Sequence, residues 1–371
     1  MKIRENMRYY LWALYIGILI FRSYSNALSN LSISLIRVYT IFSIGVPLII
    51  GLLLFIENMD LNHIIYAFFL LIFAVIFKFQ NAKILYLVLA FVMSYYSPKM
   101  IIYIYRLGIT IGFFLTFIGG YLVHNLLSNI DGVFSFGFYN ENQTGFFLAL
   151  LAILTTLKIS NEFIEVRLNI YNISFFLMIV FVTVKLFDDR TAELMLGSYI
   201  LFLLLRKIFK FKLVKIVLSI FPIFISAFSY WCTQNYGSSN FLEVINKLST
   251  SRLMMWHYYF IHQPITLLGN PIIVVKGYTP GEGLFDGGYA FLLFSFGLIF
   301  SLIIFLGLSL ANYKLLVNND NLLLILMLVL EIVAFTENHP IAPTACFMSL
   351  FALMSYLPNW PYLSKEKNYE R

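Results

Sequence analysis

Long apolar runs alternate with short polar interruptions from one end of the chain to the other. A helix crossing a bilayer needs about 20 apolar residues. By that measure the pattern predicts spans at 9–29, 35–56, 63–79, 83–97, 101–123, 143–159, 168–187, 191–209, 214–233, 288–310, 322–335 and 342–357. The expected architecture is all-α, a single integral membrane domain over 1–371 with about twelve transmembrane helices. One interval stands apart. Residues 234–288 form the longest stretch too polar for hydrocarbon, and are expected to be a long extracytoplasmic loop carrying short helices.

Composition agrees with the pattern. The 371 residues are 61% hydrophobic and 12% charged, with mean hydropathy +0.85, whereas a soluble domain carries about a quarter charged residues. No soluble domain of useful size can be carved from such a chain. The net charge of +7 does not call for nucleic acid, because basic residues in a polytopic protein retain its loops in the cytoplasm. Cys232 and Cys346 lie in different apolar runs, and their spacing suggests neither a metal site nor a disulfide framework. Residues 1–8 are basic and precede an apolar stretch, as in a secretory signal, but Ser25-Asn26-Ala27 is a poor cleavage site. The first helix is therefore expected to stay in place.

Placing the N-terminus in the cytoplasm gives the inner side roughly 16 of the 25 lysines and arginines. Arg206, Lys207, Lys210, Lys212 and Lys215 are then inside, while 124–142, free of lysine and arginine, is outside. Lys78 and Lys83 run against this trend. The expected location is the cytoplasmic membrane, with both termini cytoplasmic. Four polar segments, 124–142, 185–190, 234–288 and 336–341, share the outer face, and the helices after them begin there. Helix N-termini offer free N–H groups to an anion. Asn142, Asp189 and Asp286 are each placed to cap one.

Several side chains in these segments suit chemistry. Arg190 opens a helix, where its charge opposes the dipole unless an anion is near. Asp188, Asp189 and Glu193 can neutralise it locally, or it can grip a phosphate with its guanidinium fork. Adjacent aspartates also raise the thought of a divalent metal, but a third ligand is missing. Arg252 follows Thr250-Ser251, either of which can cap a short interfacial helix with Leu253, Trp256 and Phe260 on one side and Trp256 at headgroup depth. It then binds lipid phosphate indiscriminately or a specific ligand. Asp286 is an N-cap or, if burial raises its pKa, a general base. His339 is a turn residue before Pro340 or a proton carrier, with Glu337 beside it. Glu331, inside a span, should face the bundle interior.

The order of segments carries a resemblance. Gly137-Phe138-Tyr139-Asn140-Glu141-Asn142-Gln143-Thr144-Gly145 comes first, and Asp189-Arg190-Thr191-Ala192 second. A long loop with Ser251-Arg252 and Trp256 follows, and then Asp286-Gly287-Gly288-Tyr289 opens a helix with Gly297 further along. This series resembles the bacterial O-antigen ligase and polymerase superfamily, most of all the Wzy-type polymerases of surface polysaccharides. The resemblance covers the chain from about Gly137 onward; the first third matches only as hydrophobic helices. It implies a glycosyltransferase of the multi-spanning GT-C type, without cofactor or metal, acting on undecaprenyl-diphosphate-linked oligosaccharide at the outer face of the membrane. Flippase and chain-length regulator proteins are the implied partners, besides membrane lipid. Arg190 and Arg252 would bind the diphosphate, and Asn140, Asn142, Trp256 and Tyr289 would line the substrate site. Asp286 would be the base, with His339 or Glu337 as the next candidates. Ligase-type members carry histidine and asparagine where this chain has Asp286 and Gly287, which favours a polymerase. Other classes are a lipid-linked oligosaccharide flippase or other transporter, expected to have discontinuous or charged helices around a midplane cavity, and a membrane acyltransferase using His339.

Overall fold

The computed structural model describes residues 2–28, 33–58, 60–78, 80–127, 134–160, 164–167, 169–183, 185, 189–270 and 286–361. They form a helical bundle. The first half runs through α1 (Lys2–Tyr24), α2 (Ile33–Glu57), α3 (Leu61–Ile76), α4 (Asn81–Met93), α5 (Pro98–Leu122) and α6 (Glu141–Thr155). An antiparallel hairpin of β1 (Leu157–Ile159) and β2 (Ile164–Val166) leads into α7 (Ile170–Val182), α8 (Arg190–Leu205) and α9 (Lys212–Asn235). The long loop carries α10 (Asn240–Leu248) and α11 (Arg252–His262). After it come α12 (Gly288–Phe291), a π-helical turn over Leu292–Phe296, α13 (Gly297–Val317), α14 (Asn321–Val333) and α15 (Met348–Met354).

Each predicted span coincides with a helix, with one shortfall. The run 342–357 is helical only over Met348–Met354, since Pro340 and Pro343 hold the preceding stretch in turns. Among the described residues, four helices are long and apolar enough to cross a membrane: Arg37–Glu57, Pro98–Leu122, Lys212–Asn235 and Gly288–Val317. Leu61–Ile76, Ala82–Met93, Ile170–Val182 and Asn321–Val333 are equally apolar but shorter. On α2 and α9, Leu48, Ile49, Leu52, Leu213, Ile216 and Ile220 face outward. Apolar surface on that scale suits lipid rather than water.

Two packing features position the functional end of the bundle. First, α1 and α5 meet backbone to backbone. A Cβ on Gly17, Gly108 or Gly112 would lie 2.7 Å from an isoleucine of the other helix and 3.1 Å from one of its carbonyls. Ala13 and Gly17 on α1 thus mesh with Gly108 and Gly112 on α5, the small-residue spacing that brings membrane helices together. Second, α14 is apolar all round and buried from Leu323 to Leu330, as expected of a central helix. It runs antiparallel to α8: the Thr191 hydroxyl at the start of α8 donates to Glu337 just beyond α14, while Arg206 and Asn321 line one cavity at the opposite ends.

The path from α12 to α13 is broken at Gly297, whose φ of +83° is open to glycine. Residues 266–270 fill the break with their own backbone: Leu298 and Ile299 N–H groups donate to Thr266 and Leu267 carbonyls at 3.0 and 3.1 Å, and the Asn270 N–H donates to Phe294 at 3.2 Å. Lys83 is buried here, donating to the Leu268 carbonyl with its ammonium 4.9 Å from the Phe77 ring centre. Its apparent violation of the charge trend has this cause. Lys83 is an internal group rather than a loop charge.

Candidate functional site

Five segments distant in sequence converge at one end of α8 and α14. The turn after α14 supplies Glu337, 1% exposed, whose Oε1 accepts from the Arg252 Nη2 and, at 3.2 Å, from the Thr191 hydroxyl. Its Oε2 lies 3.2 Å from His339 Nδ1. A carboxylate only accepts, so the proton of that pair sits on Nδ1. The His339 ring is held by stacking on Phe146, 5.1 Å between centres at 29°, and against Tyr24. Glu337 is therefore the hub.

Arg252 is 5% exposed. Besides Glu337 it reaches Asp286 Oδ2 at 3.7 Å, and its Nη1 donates to the Ser249 carbonyl at 3.2 Å and to the Thr250 hydroxyl. Asp286 is aimed by its backbone. The Trp256 indole donates to its carbonyl at 2.5 Å, and two residues on the Gly288 N–H donates to Ala334 and Glu337 carbonyls at 2.8 and 3.1 Å. Gly287 lies under the Trp256 ring with φ +100°, where any side chain would strike the indole. Asp189 caps α8, accepting from the Thr191 N–H at 2.9 Å, and its other oxygen has no hydrogen-bond partner among the described residues. That oxygen abuts Gly145 of α6, at a spot a Cβ would occupy.

Three carboxylates around one arginine cannot all ionise at ordinary pKa values. Burial of Glu337 would raise it, but Arg252 first, then His339 and Thr191, hold it below the usual carboxylate range. Burial and the Glu337 charge push Asp286 up to about 7 and Asp189 up to about 8. Arg252 is disfavoured by burial, yet Glu337, Asp286 and Asp189 more than compensate and raise it. At neutral pH the hub stays ionised, Asp189 holds a proton and Asp286 is poised between states. Its side chain is 28% exposed, so it can meet a substrate.

No family model, curated protein or solved structure matches this chain. The geometry alone therefore sorts the expected residues. Asp286, Glu337, His339, Arg252 and Trp256 come together. Trp256 is fully buried in protein, with its indole N–H committed to the Asp286 carbonyl. Asp286 is no N-cap: Gly287 occupies that position and no side chain caps α12. Asn140, not Asn142, caps α6, accepting from the Gln143 N–H at 2.8 Å; Asn142 is half-buried. Ser251 sits at the cap position of α11 but is left-handed and makes no side-chain cap, while Thr250 turns its hydroxyl to Arg252.

Arg190 is exposed and forms no ion pair among the described residues. Asp189 is turned to its own helix, so the local neutralisation is not made by that residue; Asp188 lies outside the described residues. Arg190 instead donates to the Lys247 carbonyl at 2.9 Å. Tyr289 is buried, with its hydroxyl on the Glu331 carbonyl at 2.9 Å. Glu331 faces the interior, where Asn312 Nδ2 donates to both of its oxygens at 3.0 and 3.1 Å. Thr191, Gly145 and Phe146 belong to the site without having been singled out. The first two lie inside the quoted motifs, Thr191 one position from Arg190 and Gly145 three from Asn142.

Proposed function

We propose that the chain is a membrane glycosyltransferase of the GT-C type, with about twelve membrane passages and cytoplasmic termini, that polymerises lipid-diphosphate-linked repeat units at the outer face. The observation that carries this reading is Asp286, a partly exposed carboxylate poised near neutral pH beside a buried Arg252–Glu337 pair. A general base works best when its pKa lies near the operating pH. A hydroxyl of the acceptor repeat unit attacks the anomeric carbon of the donor, Asp286 takes its proton, and the bond to the diphosphate oxygen breaks. Negative charge then grows on the leaving diphosphate. Arg190 is the arginine exposed to meet it, with guanidinium N–H groups beyond the one used on Lys247. Arg252 is assigned to holding Asp286 and Glu337 rather than to gripping phosphate, because its charge is already shared between two carboxylates.

Purified protein in lipid nanodiscs, given a lipid-diphosphate repeat unit, is expected to give a ladder of lengthening products. Asp286→Asn should slow it by about 10² to 10⁴, the span of general-base effects. Arg190→Lys should shorten the ladder, since lysine keeps the charge and loses the fork. A normal ladder from folded Asp286→Asn protein would remove the base assignment.

A transport reading draws on the broken helix of α12 and α13, since discontinuous helices line the substrate sites of many transporters. Here the break is filled by residues 266–270 and Lys83, which favours a structural role for it. Movement of intact lipid-linked glycan without any ladder would decide for transport.

A further inference from the structure

At the far end of α8 and α14 from the carboxylates lies a cavity of about 580 Å³. The helices place it about 20 Å away, at 1.5 Å of rise per residue over the length of α14. Arg206, Lys207 and Lys210 line it, all on the 3₁₀ turn Arg206–Lys210 between α8 and α9. Lys99 and a single carboxylate, Asp320, complete its charged wall. Phe209 is buried and pins the turn, so the three cations stand exposed around a fixed point. None of the three makes an ion pair among the described residues. Within three residues of them in sequence, Leu204, Phe211 and Leu213 are strongly exposed.

Cations that merely keep a loop in the cytoplasm need no cavity and no common focus. These three surround a space within the 300–1,000 Å³ range of small-molecule sites, and their mutual repulsion there calls for an anion. The exposed apolar residues flanking the turn in sequence identify its carrier. A free phosphate gains nothing from Leu204, Phe211 and Leu213, whereas a phospholipid places its phosphate among the cations and its chains along those residues.

We propose that this cavity binds the phosphate-bearing headgroup of an anionic membrane lipid through Arg206, Lys207 and Lys210. The assignment requires a membrane-embedded chain and is independent of the glycosyltransferase reading. Its test is lipid-dependent thermal unfolding in detergent, followed with a thiol-reactive dye, for which Cys232 and Cys346 are suitable because both are free and buried. Phosphatidylglycerol should raise the midpoint of the parent protein and phosphatidylcholine should not. Arg206→Gln/Lys207→Gln/Lys210→Gln should need on the order of a hundredfold more phosphatidylglycerol for the same rise. A control lacking three other exposed cations at the same end, Lys158→Gln/Arg167→Gln/Lys212→Gln, should respond like the parent. An undiminished response in the cavity variant, or an equal loss in the control, would overturn the site. Inorganic phosphate matching the lipid's effect would overturn the lipid as carrier. Single Arg206→Gln and Lys210→Gln variants, read by lipid retained in native mass spectrometry, carry the same comparison if the triple variant does not accumulate.

Discussion

Glu337→Gln tests the electrostatics of the site most directly. Glutamine keeps the shape of the hub and removes its charge. Glu337 and Asp286 both contact Arg252 Nη2, so their nearest oxygens are separated by about 6 Å or less. At that distance and an effective dielectric of about 20, the repulsion between two carboxylates is about 3 kcal/mol, which corresponds to about two pKa units. Removing it while leaving Arg252 to Asp286 alone must lower the Asp286 pKa from about 7 toward the ordinary range, with burial still holding it up. The acid limb of kcat/KM against pH, which reports groups in the free enzyme, should therefore move down by up to about two units. Maximal rate should fall as the base weakens. Breaking a buried ion pair costs about 3–5 kcal/mol, and the remaining Asp286 contact places the loss in thermal stability at the lower end. The assay is ladder formation in nanodiscs at a series of pH values. An acid limb that stays near pH 7 in folded Glu337→Gln protein would refute the coupling between the two carboxylates.

Other consequences are equally specific. Asp189 has a folded pKa of about 8, above its ordinary value, so its contribution to stability is fully present below the ordinary carboxylate range and is lost as pH rises through 8. Asp189→Asn keeps a good helix cap and removes this loss; its thermal midpoint relative to the parent should climb between about pH 4 and 8 and then level off. Gly145→Ala puts a methyl group against the Asp189 carboxylate and should cost about 1–3 kcal/mol of stability, seen as a lower midpoint together with reduced ladder formation. Gly112→Val overfills the contact with Ile20 and the Gly17 carbonyl; separation of α1 from α5 should reduce the monodisperse fraction in size-exclusion chromatography.

Helix positions were legible because apolar runs in such a chain have little alternative to helix, and runs as uniform as 322–335 also mark the centre. Membrane crossing was less so: α3, α4, α7 and α14 read as spans by hydropathy, but among the described residues their apolar helices are shorter than a full crossing. The meshing of Ala13 and Gly17 with Gly108 and Gly112 was visible as a four-residue spacing, yet which helix answers which is a tertiary fact. At the site, the motifs named the right neighbourhoods. What they could not supply was the sharing of charge. Nothing in Thr336-Glu337-Asn338-His339-Pro340 says that Glu337 outranks Asp286 for Arg252, since that follows from depth of burial. Caps were misassigned at Asn142 and Asp286 for a related reason: several polar residues adjoin each helix start, and only the backbone decides which one turns inward.

The turn between α10 and α11 is gripped from two sides, by Arg190 at the Lys247 carbonyl and by Arg252 at Ser249 and Thr250. Thr250 and Ser251 are both left-handed, φ +52° and +65°, conformations that cost side-chain-bearing residues about 1–3 kcal/mol each. On the glycosyltransferase reading, a diphosphate meets an Arg190 already anchored through one N–H to the Lys247 carbonyl, and binds the guanidinium N–H groups that this contact leaves over. The strained turn and the phosphate then share one cation, which is held in place before substrate arrives. A catalyst that passes a growing chain from one lipid to the next gains from a seat whose shape is the same whether it is filled or empty.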